Sequence, residues 1–233
     1  KDSWVLDEKV GSRKKLGDVS FMKQSVEKIK KNVVRMSPNN NYLQFVTYSG
    51  HNPFKLPEAL QQIHFKGDYP ERMRDYMTMA HYTDKAIGII VDYLKSRPDY
   101  ENTLVVITGD HEGLAADRAS LCQSAVGKGV VSPQQFTPFI VLNSPKGMRY
   151  NEVMGQIDMY PTILSLLQVN NYAWKGMGQT IFDSRKAPIA ISPNGEVVGN
   201  TKGVSAQEIN RLKSAWHISD LMLRFNKMPS KRK

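Results

Sequence analysis

Three side chains stand where they could do chemistry. Asp110 and His111 sit side by side in Gly109-Asp110-His111-Glu112-Gly113, and His51 lies in Ser49-Gly50-His51-Asn52-Pro53-Phe54. A carboxylate oxygen beside an imidazole nitrogen is a donor pair for a divalent ion of the manganese, zinc or magnesium type. A separate imidazole can protonate a departing oxygen or hold an oxyanion by hydrogen bond. Taken alone, the Asp-His pair also fits a plain polar turn, so the weight falls on what precedes it. Residues 103–107 (Thr-Leu-Val-Val-Ile) form a continuous, β-branched run that predicts a buried strand. Neighbouring side chains on a strand point to opposite faces. A turn of the kind Gly109 and Gly113 permit would let both groups converge on one point. The carboxyl ends of strands are where open α/β sheets bind ligands.

The elements that must position these groups are legible in outline. Residues 42–48 predict a second strand, which ends at Gly50-His51. Two parallel strands need a crossover, normally helical. A long helix is predicted over 71–95, with Met73, Met77, Ala80, Asp84, Ile87, Val91 and Leu94 on one stripe. Asp84 interrupts that stripe, and a carboxylate facing a core needs a partner; a structural hydrogen bond is expected. Asp18 or Ser20 is expected to cap an earlier helix, from about Phe21 to Val34. A third strand is predicted over 136–142, entered through Pro138. Asp158 is placed to cap an apolar helix with Pro161 in its first turn. Residues 187–192 and 196–199 around Pro193-Asn194-Gly195 predict a hairpin. Ser205-Ala206-Gln207-Glu208 has the capping-box pattern and opens a terminal helix carrying Ile209, Leu212, Trp216 and Leu223.

The fold class expected is therefore α/β: a largely parallel sheet flanked by helices, followed by a small antiparallel hairpin and terminal helix. At 233 residues the chain can hold one large domain or two small ones. Residues 1–185 are expected to form the α/β part and 186–233 the small appendage. No apolar run reaches the roughly 20 residues of a membrane span. The first residues, Lys1-Asp2-Ser3-Trp4, carry neither an initiator Met nor an apolar signal segment. Cys122 is the single cysteine, so no internal disulfide can form. The net charge of +10 suits an anionic substrate or surface. The basic residues are dispersed and not interleaved with aromatics, so no nucleic-acid partner is expected. Walker, dinucleotide-binding, HExxH, cysteine-rich zinc and GxSxG motifs are all absent.

Four blocks in order carry a resemblance to the alkaline phosphatase/sulfatase superfamily, and within it to the catalytic domain of lipoteichoic acid synthase-type enzymes. They are residues 45–54 (Phe-Val-Thr-Tyr-Ser-Gly-His-Asn-Pro-Phe), 82–88 (Tyr-Thr-Asp-Lys-Ala-Ile-Gly), 106–113 (Val-Ile-Thr-Gly-Asp-His-Glu-Gly) and 156–164 (Gln-Ile-Asp-Met-Tyr-Pro-Thr-Ile-Leu). Weaker similarity continues through 178–182, so the resemblance covers roughly 18–226. It implies an alkaline-phosphatase-like fold and a covalent mechanism, in which a metal-activated hydroxyl attacks phosphorus or sulfur. It implies that Asp110 and His111 are two ligands of a divalent metal, manganese first, with magnesium, zinc or calcium as alternatives. His51 is implied as a catalytic and substrate-binding histidine at the phosphate or leaving group. Asp84 and Asp158 match positions with structural roles.

One departure is large. The family's nucleophile, and a further acidic metal ligand, lie upstream of every block found here, and no segment of this chain matches them. Cys122 lacks the Cys-x-Pro-x-Arg context of sulfatases, and Thr47 and Thr108 fall inside predicted strands. The chain thus resembles the later part of such a domain, with no nucleophile of its own. The implied partner is a phosphate or sulfate ester, free or lipid-linked, on the extracytoplasmic face of a membrane reached through helices elsewhere. The competing expectation is a non-catalytic binding module that keeps the fold without the chemistry.

Overall fold

The computed structural model describes residues 3–32, 36–37, 39–172 and 174–225. They divide into two compact units, Lys1–Ile140 and Val141–Lys233. The first is built on two helices, α1 (Asp18–Lys30) and α2 (Glu71–Lys95), packed along their length. A short antiparallel pair, β1 (Lys9–Val10) with β2 (Lys15–Leu16), leads into α1. The core joins Val19, Met22, Val26 and Ile29 of α1 to Met79, Tyr82, Ala86 and Ile90 of α2, with Val10, Phe54 and Leu56 closing one end. The helical period of these apolar positions sets the seam between the helices.

That seam differs from the predicted stripe of α2. Ala80 and Asp84 are exposed, while Met79, Tyr82, Ala86 and Ile90 are buried. α2 carries apolar residues on two adjoining arcs, and the arc that meets α1 is rotated from the one periodicity favoured. Asp84 therefore needs no buried partner. The buried polar groups lie elsewhere. Asp18, 1% exposed, accepts hydrogen bonds from the backbone N–H of Tyr48 and Ser49, while Ser49 Oγ accepts from the N–H of Asp18. Asp18 thus ties the 48–49 turn to α1; the residue before the helix is Gly17, so neither Asp18 nor Ser20 caps it as expected. Glu8 accepts a hydrogen bond from the Tyr82 hydroxyl, and burial together with that carboxylate raises the phenol's pKa. The end of the expected α1, Val33–Val34, falls outside the described residues.

The strands of the described residues pair only two by two. β3 (Val105–Thr108) pairs with β4 (Phe139–Leu142), so the predicted strands beginning at 103 and 136 form in shortened versions. β3 is half-buried rather than buried, with Thr108 exposed. The predicted strand over 42–48 joins no sheet among the described residues, and Tyr42 and Val46 are 84% and 73% exposed. Its composition favours an extended chain, but a strand is secured by hydrogen bonds to a neighbour, and no described strand supplies them. The wide parallel sheet expected from the sequence is accordingly not seen here.

In the second unit, a 3-10 turn at Gln156–Asp158 runs into α4 (Met159–Leu166), numbered after the short α3 (Arg118–Gln123) of the first unit. The predicted hairpin is β5 (Ile189–Ile191) against β6 (Val197–Gly199), antiparallel. The terminal helix is α5 (Ala206–Arg224), and Ser205 caps it by accepting from the Glu208 N–H. Only half of the expected capping box forms, because the Glu208 carboxylate pairs with Arg211 at 2.7 Å.

Candidate functional site

His51 sits in a tight turn in which its N–H donates to Tyr48 O and its own carbonyl accepts from Phe54 N–H. The ring stacks on Tyr48 with centroids 5.8 Å apart and planes 5° from parallel. Its Nδ1 lies 2.9 Å from Asn52 O. A carbonyl only accepts, so Nδ1 is the nitrogen that carries hydrogen and Nε2 is left open. Phe54 holds the turn from below. It is 1% exposed and keeps a positive φ of 63°, a conformation that surrounding packing must enforce for a bulky residue. Its ring meets Tyr76 edge-on at 5.1 Å and lies 4.6 Å from the Arg72 guanidinium. Pro53, Lys55, Leu56 and Pro57, with Gly11 and Ser12, line a cavity of about 350 Å³ beside this turn.

Asp110 and His111 follow β3 directly and are the exposed tip of the loop, their side chains 89% and 71% accessible. Asp110 Oδ1 accepts from the His111 N–H at 2.9 Å, and Oδ2 lies 3.6 Å from His111 Nε2. His111 Nδ1 is 2.8 Å from Glu112 O. By the same argument as for His51, Nδ1 carries the hydrogen, and Nε2, facing Asp110 Oδ2, is the nitrogen with a lone pair. A single ion with bonds of about 2.1 Å can bridge an oxygen and a nitrogen at that separation. Two donors do not complete a site, and among the described residues no group of three His, Cys, Asp or Glu side chains is placed to hold a metal. The donor set therefore fits half of a metal centre.

The structure brings the two loops onto the same end of α2 without direct contact between their imidazoles. Arg72 makes the join: Nη1 donates to Asn52 Oδ1 at 2.7 Å and Nε to Asp117 Oδ2 at 2.8 Å. Gly113 packs against Tyr76 and Phe54 so closely that a Cβ there would lie 2.6 Å from Tyr76 Cε2. Glu112 turns inward and pairs with Arg118, and accepts from Gln135 Nε2 at 2.7 Å. Arg72, Tyr76 and Glu112 were not singled out from sequence. An arginine in the first turn of a helix has the pattern of a solvated charge, and only the three-dimensional meeting of both loops distinguishes it.

Asp158 stands at the N-cap position of α4, as predicted, but its side chain makes no capping hydrogen bond to that helix. Its carboxylate accepts from the N–H of Gly155 and of Gln179, and lies 3.2 Å from Lys186 Nζ, both side chains being almost wholly buried. It is the structural knot of the second unit rather than part of the candidate site. Gly178 makes that knot possible, since a side chain there would strike the Ile157 carbonyl.

The sulfatase family model matches residues 7–169, and the chain belongs to that family. In fold it is similar to a protein of the alkaline phosphatase superfamily from Vibrio parahaemolyticus, with a TM-score of 0.54 at 18% identity, over 95% of this chain and 58% of that one. Its relatives include the lipoteichoic acid synthase-like protein YvgJ of Bacillus subtilis (strain 168), 27% identical over 194 residues, covering 79% of this chain and 31% of that protein. Lipoteichoic acid synthase of Staphylococcus aureus (strain USA300) is 26% identical over 163 residues, covering 67% of this chain and 25% of that protein. The chain thus spans less than a third of the length of these relatives.

Proposed function

We propose that this chain is the part of a metal-dependent phosphoglycerol transferase or related ester hydrolase that carries two metal ligands and the histidine at the leaving group. The observation that carries the reading is the common arrangement of the two imidazoles: each has Nδ1 pinned on a backbone carbonyl and Nε2 open, on loops joined through Arg72. Pinning one nitrogen fixes the tautomer and the orientation of the ring, as second partners of metal-bound and catalytic histidines do. Asp110 and His111 would hold one face of a divalent ion, taken to be manganese, with magnesium, zinc and calcium as alternatives. When bound, such an ion lowers the pKa of a hydroxyl nucleophile and neutralises charge on the transferring group.

His51 acts on the other side of the reacting ester. With Nδ1–H kept on the Asn52 carbonyl, Nε2 must first take up a proton, giving the imidazolium, before it can hand that proton to the leaving oxygen, and Tyr48 stacks on the ring. Arg72 and the Phe54–Tyr76 contact hold the His51 turn and the Asp110–His111 loop in one frame. The nucleophile and remaining ligands come from sequence outside these 233 residues, which agrees with the share of its relatives' length that the chain covers. The substrate is a phosphate or sulfate ester, with the phosphate favoured by the Asp-His donor pair, and the site would work on the extracytoplasmic side of the membrane. The test is His51→Gln in the complete protein. Turnover of a phosphodiester should fall by about 10²–10⁴ while bound metal is retained. Unchanged turnover would remove His51 from the mechanism.

A further inference from the structure

We infer that Arg118 is a positioning residue for His111, acting through Glu112 as Arg72 acts on His51 through Asn52. The inference rests on the proposed site and adds to it a support that governs metal affinity. The two histidines are held in the same way. In each, Nδ1 lies on the carbonyl of the next residue, His51 on Asn52 O at 2.9 Å and His111 on Glu112 O at 2.8 Å. In each, the side chain of that next residue is gripped by an arginine. Arg72 Nη1 donates to Asn52 Oδ1 at 2.7 Å, and Arg118 Nη1 donates to Glu112 Oε1. The two grips are themselves linked, because Arg72 Nε donates to Asp117 Oδ2 at 2.8 Å and Asp117 precedes Arg118 in the chain.

Burial separates the Arg118–Glu112 pair from an ordinary surface pair. Asp110 and His111 are exposed, but the side chains of Glu112 and Arg118 are only 14% and 23% accessible. Gln135 Nε2 donates to the same carboxylate oxygen at 2.7 Å. Beyond the Glu112 carbonyl, Gly113 is wedged against the Tyr76 ring. The peptide that carries this carbonyl is therefore anchored on both sides. It cannot turn from the His111 ring without breaking the carboxylate's bonds or displacing Tyr76. A fixed carbonyl keeps hydrogen on Nδ1 and a lone pair on Nε2, 3.6 Å from Asp110 Oδ2, which is the form a divalent ion binds. The charge of Arg118 has the opposite effect. A cation near the site repels a divalent ion, so an arginine acting by charge alone would weaken metal binding, and its loss would strengthen it. The sign of the change decides between the two.

The test is manganese binding to the complete protein by calorimetry. Arg118→Met should bind manganese about 10–100-fold more weakly at unchanged circular dichroism, the usual loss when the partner that orients a ligand is removed. In a Glu112→Ala background the same substitution should cost nothing further, since Arg118 then has no side chain to hold. Arg185→Gln, which breaks a surface ion pair of the second unit, should leave binding unchanged. A second measurement needs no change at the pair. In the metal-free protein with ¹⁵N-labelled histidine, at alkaline pH, His111 should show a single tautomer, protonated at Nδ1 and bare at Nε2; its signals are assigned by their absence from His111→Ala. This reading stands whether or not Arg118→Met folds. Equal or tighter manganese binding by Arg118→Met overturns the inference and leaves the Asp110–His111 site in place. So does an undiminished loss in the Glu112→Ala background, or a mixture of tautomers at His111. Manganese binding retained in His111→Ala would instead overturn the site itself, and the inference with it.

Discussion

Single residues decide how far the two loops can approach α2. Gly113 has no room for a side chain beside Tyr76. Gly113→Ala should cost about 1–3 kcal/mol in thermal unfolding, because the added carbon must push an anchored ring. An unchanged melting temperature would mean that Tyr76 yields freely and the frame is looser than described. Asp84 is the opposite case. It stands exposed on α2, so Asp84→Asn should change stability by no more than about 0.5 kcal/mol. A larger loss would show a partner for Asp84 that the structure lacks. At this scale the placement was legible: Asp110, His111 and His51 stand beside glycines at the ends of apolar runs, and the structure puts them in turns. Their supports were not legible. Arg72 and Glu112 acquire meaning only from groups 45 and 6 residues away in the chain, Asp117 and Arg118, which no local pattern reveals.

Helices and turns were easier to foresee than sheets. α2 occupies the predicted 71–95, the hairpin forms as β5 and β6, and Ser205 caps α5, because capping residues, prolines and helical periods act locally. The 42–48 strand failed because its stability rests on a neighbour and not on its own composition. Two elements carry predictions. The Asp158–Lys186 pair ties α4 to the segment before β5 in a nearly dry setting. Lys186→Met alone should cost about 3–5 kcal/mol by leaving the carboxylate uncompensated, and adding Asp158→Asn should recover part of that. Denaturant unfolding of both variants would show it; strict additivity would mean that the pair is not coupled. In α5, Arg211 holds the Glu208 carboxyl below its ordinary value of 4.5. A carboxyl lowered on folding stabilises the protein above its unfolded pKa and loses that effect as pH falls through the folded value. The difference in melting temperature between the protein and Glu208→Gln should therefore be present at neutral pH and shrink as pH drops below about 4.5. A difference independent of pH would remove the ion pair from the stability of α5.

At the scale of the whole molecule, the chain belongs to the sulfatase family and spans less than a third of its relatives' length, and it carries two histidines whose Nδ1 atoms lie on backbone carbonyls, on segments joined through Arg72. The basic lysine tail at 227–233 falls outside the described residues and plays no part in the account. With two donors only, the isolated 233 residues should show at most weak manganese binding by calorimetry; tight stoichiometric uptake would mean that further ligands lie within this chain. The assignment of the Asp110–His111 pair is tested most directly by His111→Ala in the complete protein, with bound metal and phosphodiester turnover measured on the same preparation. The account predicts that both are lost together while the fold is kept. Retention of metal content and activity in that variant would contradict it.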